Sequence, residues 1–276
     1  MHIDSHQHFW KYDPKDYEWM TDTMSDLQHD FLPDDLRILI DQTGINGTIV
    51  VQARQKLQET EWLLELSDSN DFIKGLVGWV DLMSPDIMDT LETFSQHEKL
   101  KGVRHLIHDE PDEKFILGPD FLRGLGSLQA FDLTYDLLLY PNHLSYAVDS
   151  VKYFPEQKFV LDHIAKPSIK NGILAPWDKD IRELAKLDNV YCKLSGMVTE
   201  ASWNQWKLKD FKPYLDIVFD CFGPERLMFG SDWPVSTLSA NYYQVHAIVW
   251  DYIQQYPKQV QEKIFGLNAV KFYGIK

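Results

Sequence analysis

Cysteine is scarce in this chain. Cys192 and Cys221 are the only two in 276 residues. They lie far apart and outside any C-x-x-C pattern, which excludes a disulfide framework and points to a reducing compartment. Basic residues are also under-represented. Lys plus Arg number 27 against 42 Asp plus Glu, a formal net charge of −15. That balance argues against nucleic acid or an anionic membrane surface as the main partner. A small anionic substrate stays compatible with it, because a local Arg or Lys overrides the global field. No apolar run is long enough to span a bilayer, and no leader-like segment precedes the first strand pattern. A cytoplasmic protein is the expectation, with no membrane and no nucleic acid among its partners and a homo-oligomer compatible with the composition. Low-complexity stretches and linker-like segments are absent too, so one domain over residues 1–276 is expected.

Short β-rich runs are present from end to end, alternating with amphipathic segments. The runs are Met1–Ser5, Gly47–Gln52, Gly75–Asp81, Gly102–Ile107, Thr134–Leu139, Phe159–Asp162, Val190–Leu194 and Leu227–Gly230. They are near-continuous apolar stretches, the pattern of parallel strands covered on both faces. Between them, Pro33 and Pro119 open helical segments, and Ser84-Pro85 reads as an N-cap followed by the first helical residue. Trp177–Leu187 and Ser239–Tyr256 complete the helical set. Eight strand–helix units predict an α/β fold, a (β/α)8 TIM barrel with a C-terminal helical extension. A doubly wound sheet would want a glycine-rich phosphate turn after strand one, where this chain has His6-Gln7-His8.

Working residues of such barrels gather where strands end. If residues 3 to 8 form a strand, His6 and His8 share one face. Gln52 and Arg54 end the second run, Trp79 and Asp81 the third, Arg104 and His105 the fourth. Asp162, His163 and Lys166 end the sixth, Lys193 and Ser195 the seventh, Asp232 the eighth. Polar groups stopping seven apolar strands at one rim are hard to explain as packing, since gathering them is costly unless they hold something polar or charged. Bland readings stand beside this one: His163 as a core histidine capping its strand through Asp162, Lys193 as an internal ion pair, Asp109-Glu110-Pro111-Asp112 as a solvated loop, Asn268 as a backbone anchor. Trp19, Met20 and Met24 read as packing of the first loop or a lid.

Five segments carry a family resemblance: Ile3-Asp4-Ser5-His6-Gln7-His8-Phe9-Trp10, Gly102-Val103-Arg104-His105, Asp162-His163-Ile164-Ala165-Lys166-Pro167, Lys193-Leu194-Ser195-Gly196 and Phe229-Gly230-Ser231-Asp232-Trp233-Pro234. In this order and spacing the chain resembles the amidohydrolase superfamily, and within it the amidohydrolase-related sugar lactonases. The resemblance implies hydrolysis of a sugar-acid lactone, such as a fucono-, rhamnono- or galactono-lactone. It implies a core of His6, His8, His163 and Asp232, with Gln52, Arg104, His105 and Lys166 as contacts for carbonyl or hydroxyl groups. Trp79, Trp203, Trp206 and Trp233 are of a type more often core than ligand platform, but sugars favour aromatic faces, and Trp79 is the one expected to line the pocket. Binuclear members carry a lysine after strand four and a histidine after strand five. This chain has Arg104-His105 and no strand-five histidine, His143 falling beyond Pro141-Asn142. One Zn²⁺ on His6 and His8, with His163 and Asp232, is therefore expected over two metals. A metal-free site, with Arg104, His163 and Lys166 stabilising an oxyanion, is the alternative. Asp232 is the expected general base, and His105 or protonated Asp232 the acid for the leaving oxygen. Two other functions compete: a metal-dependent decarboxylase of an aromatic or unsaturated acid, against which the missing strand-five histidine counts, and a non-catalytic sugar-acid-binding barrel.

Overall fold

The computed structural model of the chain describes residues 1–276. Eight parallel strands follow one another in strict order: β1 Ile3–Gln7, β2 Gly47–Val51, β3 Ile73–Gly78, β4 Leu100–His105, β5 Thr134–Leu137, β6 Phe159–Leu161, β7 Val190–Leu194 and β8 Leu227–Phe229. Helices return the chain between them: α1 Pro33–Thr43, α2 Leu57–Ser69, α3 Ile87–Phe94, α4 Pro119–Ser127, α5 Leu144–Lys152, α6 Trp177–Ala185, α7 Leu208–Phe222 and α8 Tyr242–Ile253. Two short helices, α9 Lys258–Glu262 and α10 Asn268–Tyr273, form the C-terminal extension. This is the (β/α)8 barrel that the alternation of apolar runs predicts. No helix is long and apolar enough to cross a membrane.

Strand alternation divides the side chains between two cores. Ile3, Ile49, Val51, Val77, Val160 and Met228 point inward, and Phe272, Tyr273 and Ile275 from the C-terminal segment plug the barrel floor against them. Residues of opposite parity, among them Val50, Leu76, Val103, Leu161, Cys192 and Phe229, pack outward under the helices. Asn268 anchors the extension by donating from Nδ2 to the carbonyls of Pro224 (2.8 Å) and Leu227 (2.7 Å).

The seam between β8 and β1 is closed largely by side chains and by backbone beyond the strands. Ser231 N–H donates to Asp4 Oδ1 (2.8 Å), Ser5 Oγ to the Phe229 carbonyl (2.6 Å), and Asp232 N–H to the His6 carbonyl (2.8 Å). Gly230 is needed here, because a Cβ at that position would lie 2.7 Å from His6 Cβ.

Some helices depart from the expected boundaries. Ser84-Pro85 does not cap α3, which begins at Ile87 after Asp86. The segment expected over Ser239–Tyr256 is helical only from Tyr242 to Ile253, capped by Asn241, whose side chain accepts from Gln244 N–H. Pro213 lies inside α7, within its second turn, where the chain still runs as helix. His143 ends a short 3₁₀ turn ahead of α5.

Candidate active site

A β-bulge sets the orientation of the first two histidines. With Ile3 inward, strict alternation would send His6 outward. The β1–β2 register shifts between Asp4 and Gln7, placing one extra residue on β1. The parity flips, Gln7 turns outward to Thr48 Oγ1 (3.1 Å), and His6 and His8 converge over the barrel axis. Their Nε2 atoms are 3.2 Å apart.

His8 Nδ1 lies 2.8 Å from the Val51 carbonyl. A carbonyl only accepts, so Nδ1 carries the proton and Nε2 presents its lone pair to the site. Asp232 Oδ1 is 3.4 Å from His8 Nε2, 3.9 Å from His6 Nε2 and 3.8 Å from His163 Nε2. Asp232 has φ +57°, a left-handed conformation that turns its carboxylate back over the mouth.

His163 and Lys166 stand on a more unusual turn. His163, Ile164, Ala165 and Lys166 have φ of 54°, 48°, 59° and 49°, four consecutive left-handed residues that follow Asp162 at the end of β6. Each non-glycine residue held there costs about 1–2 kcal/mol, and β-branched Ile164 is the worst placed. The surroundings hold the turn: Trp177 Nε1 donates to the Ile164 carbonyl (2.7 Å) and Lys166 N–H to the His163 carbonyl (2.8 Å). The turn brings residues three apart to one side, so His163 and Lys166 both face the mouth. His163 Nδ1 is 2.8 Å from Ser195 Oγ, and Gly196 lies flat against the ring. Lys166 Nζ pairs with Glu200 Oε1 at 3.0 Å. Burial pulls His163 and His6 well below the ordinary histidine range, which keeps both imidazoles neutral.

Beneath this rim lies a buried ionic network. Lys193, fully enclosed, pairs with Asp136 and with Asp162 Oδ1 (3.1 Å). Tyr273 OH from α10 donates to Asp136 (3.1 Å). Asp162 also lies 3.3 Å from His6 Nδ1, and its Oδ2 accepts from Arg104 Nη1 (3.0 Å). These cations hold the Asp162 carboxyl well below the ordinary carboxylate range despite its burial. Sequence reading places Asp162 and Lys193 at strand ends and misses Asp136, an isolated acid inside an apolar strand whose partner lies 57 residues away.

The mouth is a cavity of ≈ 330 Å³, walled by His8, His163 and Asp232 at its base and by Arg104 and Lys166 at one side. Trp19, Met24, Trp203, Val235 and Leu238 supply apolar wall, and His108, Asp109, Tyr140 and Glu200 a polar rim. The first loop thus contributes directly to the cavity, and the loop after β4 overhangs it through His108 and Asp109. Neither His108 nor Tyr140 nor Glu200 is singled out by sequence pattern, because loop residues carry no periodicity. Their common signal is position, each lying shortly after a strand end.

Three residues expected to contact substrate lie outside the cavity. Arg104 points inward, so His105, its neighbour on β4, points outward. There it stacks on Phe115 with ring centroids 5.0 Å apart, faces Glu110 Oε1 at 2.7 Å, and receives Trp79 Nε1 at 3.3 Å. Both ring nitrogens are engaged beneath the helices, and neither His105 nor Trp79 lines the cavity. Gln52 is buried behind Arg104, donating to its carbonyl (3.3 Å) while Arg104 Nη2 donates to the Gln52 carbonyl. It supports the guanidinium from behind the cavity wall.

Glu59 steadies the β2 end. Its Oε2 accepts the N–H groups of Ala53 and Arg54, both at 3.0 Å, and burial raises its carboxyl to about 7. The folded chain therefore holds this proton more tightly than the unfolded chain, whose ordinary value is 4.5. The contribution to stability is greatest below that value, falls as pH rises towards 7, and is flat above. In Glu59→Gln, thermal melts are expected to lose this part of the decline between pH 5 and 7.5. An unchanged slope would assign the pH dependence to other groups, such as Asp4, which burial raises to about 6.

The donor set suits a divalent ion. His6, His8 and Asp232 bring one ligand atom each within 4.8 Å of one another, as do His6, Asp162 and His163. Two imidazole nitrogens bound tetrahedrally at about 2.0–2.1 Å would stand about 3.3 Å apart, and the Nε2 atoms of His6 and His8 stand 3.2 Å apart. Two imidazoles with a carboxylate are the ligand chemistry of zinc.

The model of the amidohydrolase family matches residues 3–275. The chain belongs to that family. It is 41% identical over 286 residues to an L-fucono-1,5-lactonase of Burkholderia multivorans, covering 100% of this chain and 96% of the relative. An L-rhamnono-gamma-lactonase of Scheffersomyces stipitis is 27% identical over 209 residues, 66% of this chain and 61% of that one. Among solved structures, an amidohydrolase from Burkholderia multivorans with bound zinc superposes with a TM-score of 0.97 at 38% identity, over 100% of both chains.

Proposed function

We propose that this amidohydrolase opens a sugar-acid lactone, with water adding to the ring carbonyl. The observation that carries the reading is the Asp232 carboxylate, set 3.4 Å from the His8 lone pair at the base of a cavity whose side holds Arg104 and Lys166. A base beside cations in a small pocket is the arrangement that adding water to an ester requires. The similarity to relatives named as lactonases supports the same substrate class, and a 6-deoxyhexono-1,5-lactone is the first candidate.

Asp232 Oδ1 orients a water and takes its proton while the oxygen bonds to the lactone carbon. The oxyanion that forms is met by Lys166 and Arg104. His163 joins them when the Ser195 hydroxyl donates to Nδ1, leaving Nε2–H towards the cavity. Collapse breaks the bond from the carbonyl carbon to the ring oxygen, and the proton on Asp232 passes to that oxygen. His105, engaged outside the cavity, has no place in this step. Trp19 and Trp203 offer faces to the sugar ring's C–H groups. His6, His8 and Asp232 would hold one zinc ion, with His163 beside them. When bound, that ion lowers the pKa of water and polarises the carbonyl. No histidine follows β5 before His143, which ends the 3₁₀ turn ahead of α5, and this counts against the decarboxylase reading.

A pH-indicator assay over a panel of aldono-1,4- and 1,5-lactones, with zinc-replete protein, tests the proposal. Acid release from one stereochemical subset supports it, and no release from any member contradicts it. Gly196→Ala probes the His163 support. The new Cβ would meet His163 Cγ and Nδ1 at 2.5 Å, at a backbone φ of +62°. A displacement on that scale is expected to lower kcat by about 10²-fold and stability by about 1 kcal/mol. Wild-type turnover in this variant would remove His163 from the mechanism.

A further inference from the structure

Arg104 occupies a position that the metal set also needs. Its Nη1 lies 3.2 Å from His6 Nε2 and 3.0 Å from Asp162 Oδ2, while Nη2 donates to the Gln52 carbonyl. Its side chain is 3% exposed, so the charge is held inside the barrel with no solvent to screen it. A guanidinium only donates, so it reaches the His6 Nε2 lone pair. That is the lone pair a metal ion would use. On the far side of the same ring, Lys193 Nζ lies 3.2 Å from His6 Nδ1. His6 is thus flanked by two fixed cations, whereas no cationic side chain is paired with His8.

We infer that Arg104 acts as a resident cation of the site, competing with a divalent ion for His6 and weakening its binding. The guanidinium keeps His6 oriented when no ion is bound, since His6, Asp162 and the Gln52 carbonyl all converge on it. When an ion binds, Arg104 opposes it by charge and by contention for Nε2. Binding then leans on His8 and Asp232. The result is a single exchangeable ion in a site whose shape survives its removal. This inference rests on the donor set and holds for any ester the cavity accepts.

Zinc affinity, measured by competition with a chromophoric chelator and without any lactone, tests it apart from the proposed activity. Arg104→Met removes the charge and the donor, and is expected to tighten zinc binding at least tenfold. Arg104→Lys keeps a charge beside His6 and is expected to stay within threefold of the wild type. If Arg104→Met does not fold, Arg104→Gln carries the same test, being neutral and still able to donate to Asp162. Unchanged or weaker zinc binding in the neutral variant would overturn the inference. Equal tightening in Arg104→Lys would also do so, by showing that charge is not the cause.

Discussion

Asp232→Asn is expected to lower kcat for lactone opening by about 10³-fold, within the range that loss of a general base produces. The amide fills the same volume and still donates and accepts hydrogen bonds, but it cannot take a proton from water. It is also a poorer zinc ligand than a carboxylate. The fold should persist, for two reasons. Asparagine tolerates the left-handed backbone at this position better than most residues. The backbone bonds that place it, Asp232 N–H to the His6 carbonyl and Ser236 N–H to the Asp232 carbonyl, both at 2.8 Å, do not involve the side chain. Steady-state kinetics beside a thermal melt would separate the two effects. Near-normal turnover in a folded variant would withdraw Asp232 as the base.

The largest effect on stability is expected at Lys193. Its ammonium lies between Asp136 and Asp162 with no solvent exposure. Replacement by Met keeps much of the stem's packing but leaves two buried carboxylates short of their shared counter-charge. Removing one partner of a buried ion pair costs about 3–5 kcal/mol. For a chain of this size that is a drop in melting temperature of roughly 10 °C. Arg104 still reaches Asp162 and Tyr273 still reaches Asp136, so partial rescue at low pH, where those carboxyls protonate, should follow. A Lys193→Met protein that melts within 2 °C of the wild type would show that the network contributes little to stability.

Much of the architecture was legible because parallel strands buried on both faces leave continuous apolar runs. All eight runs coincide with strands to within a few residues. Helices with proline or Asn/Ser start signals were also legible, whereas α2, α5 and α7 were not. The first two lack a capping signature, and Pro213 inside α7 reads as a breaker. The rim assignment rested on which polar residues end a strand, and that criterion cannot separate neighbours. Arg104 and His105 end the same strand, yet alternation sends one to the axis and the other under the helices. The pairing of His6 with His8 followed from alternation. Their inward direction depends on a bulge that the sequence does not announce. The loop contributions of His108, Asp109, Tyr140 and Glu200 are set by tertiary placement, as is the Lys193 network, whose members come from β1, β4, β5 and β7, the turn after β6 and the C-terminal helix α10.

The most direct test of the proposed activity is to follow a freshly prepared 6-deoxyhexono-1,5-lactone by proton NMR, with and without zinc-replete protein. The account predicts that its signals pass to those of the open-chain hydroxy acid at least 10³ times faster with the wild type than in buffer. It predicts that Asp232→Asn returns the rate close to the buffer value. Conversion at the buffer rate with the wild type, for this lactone and its stereoisomers alike, would contradict it.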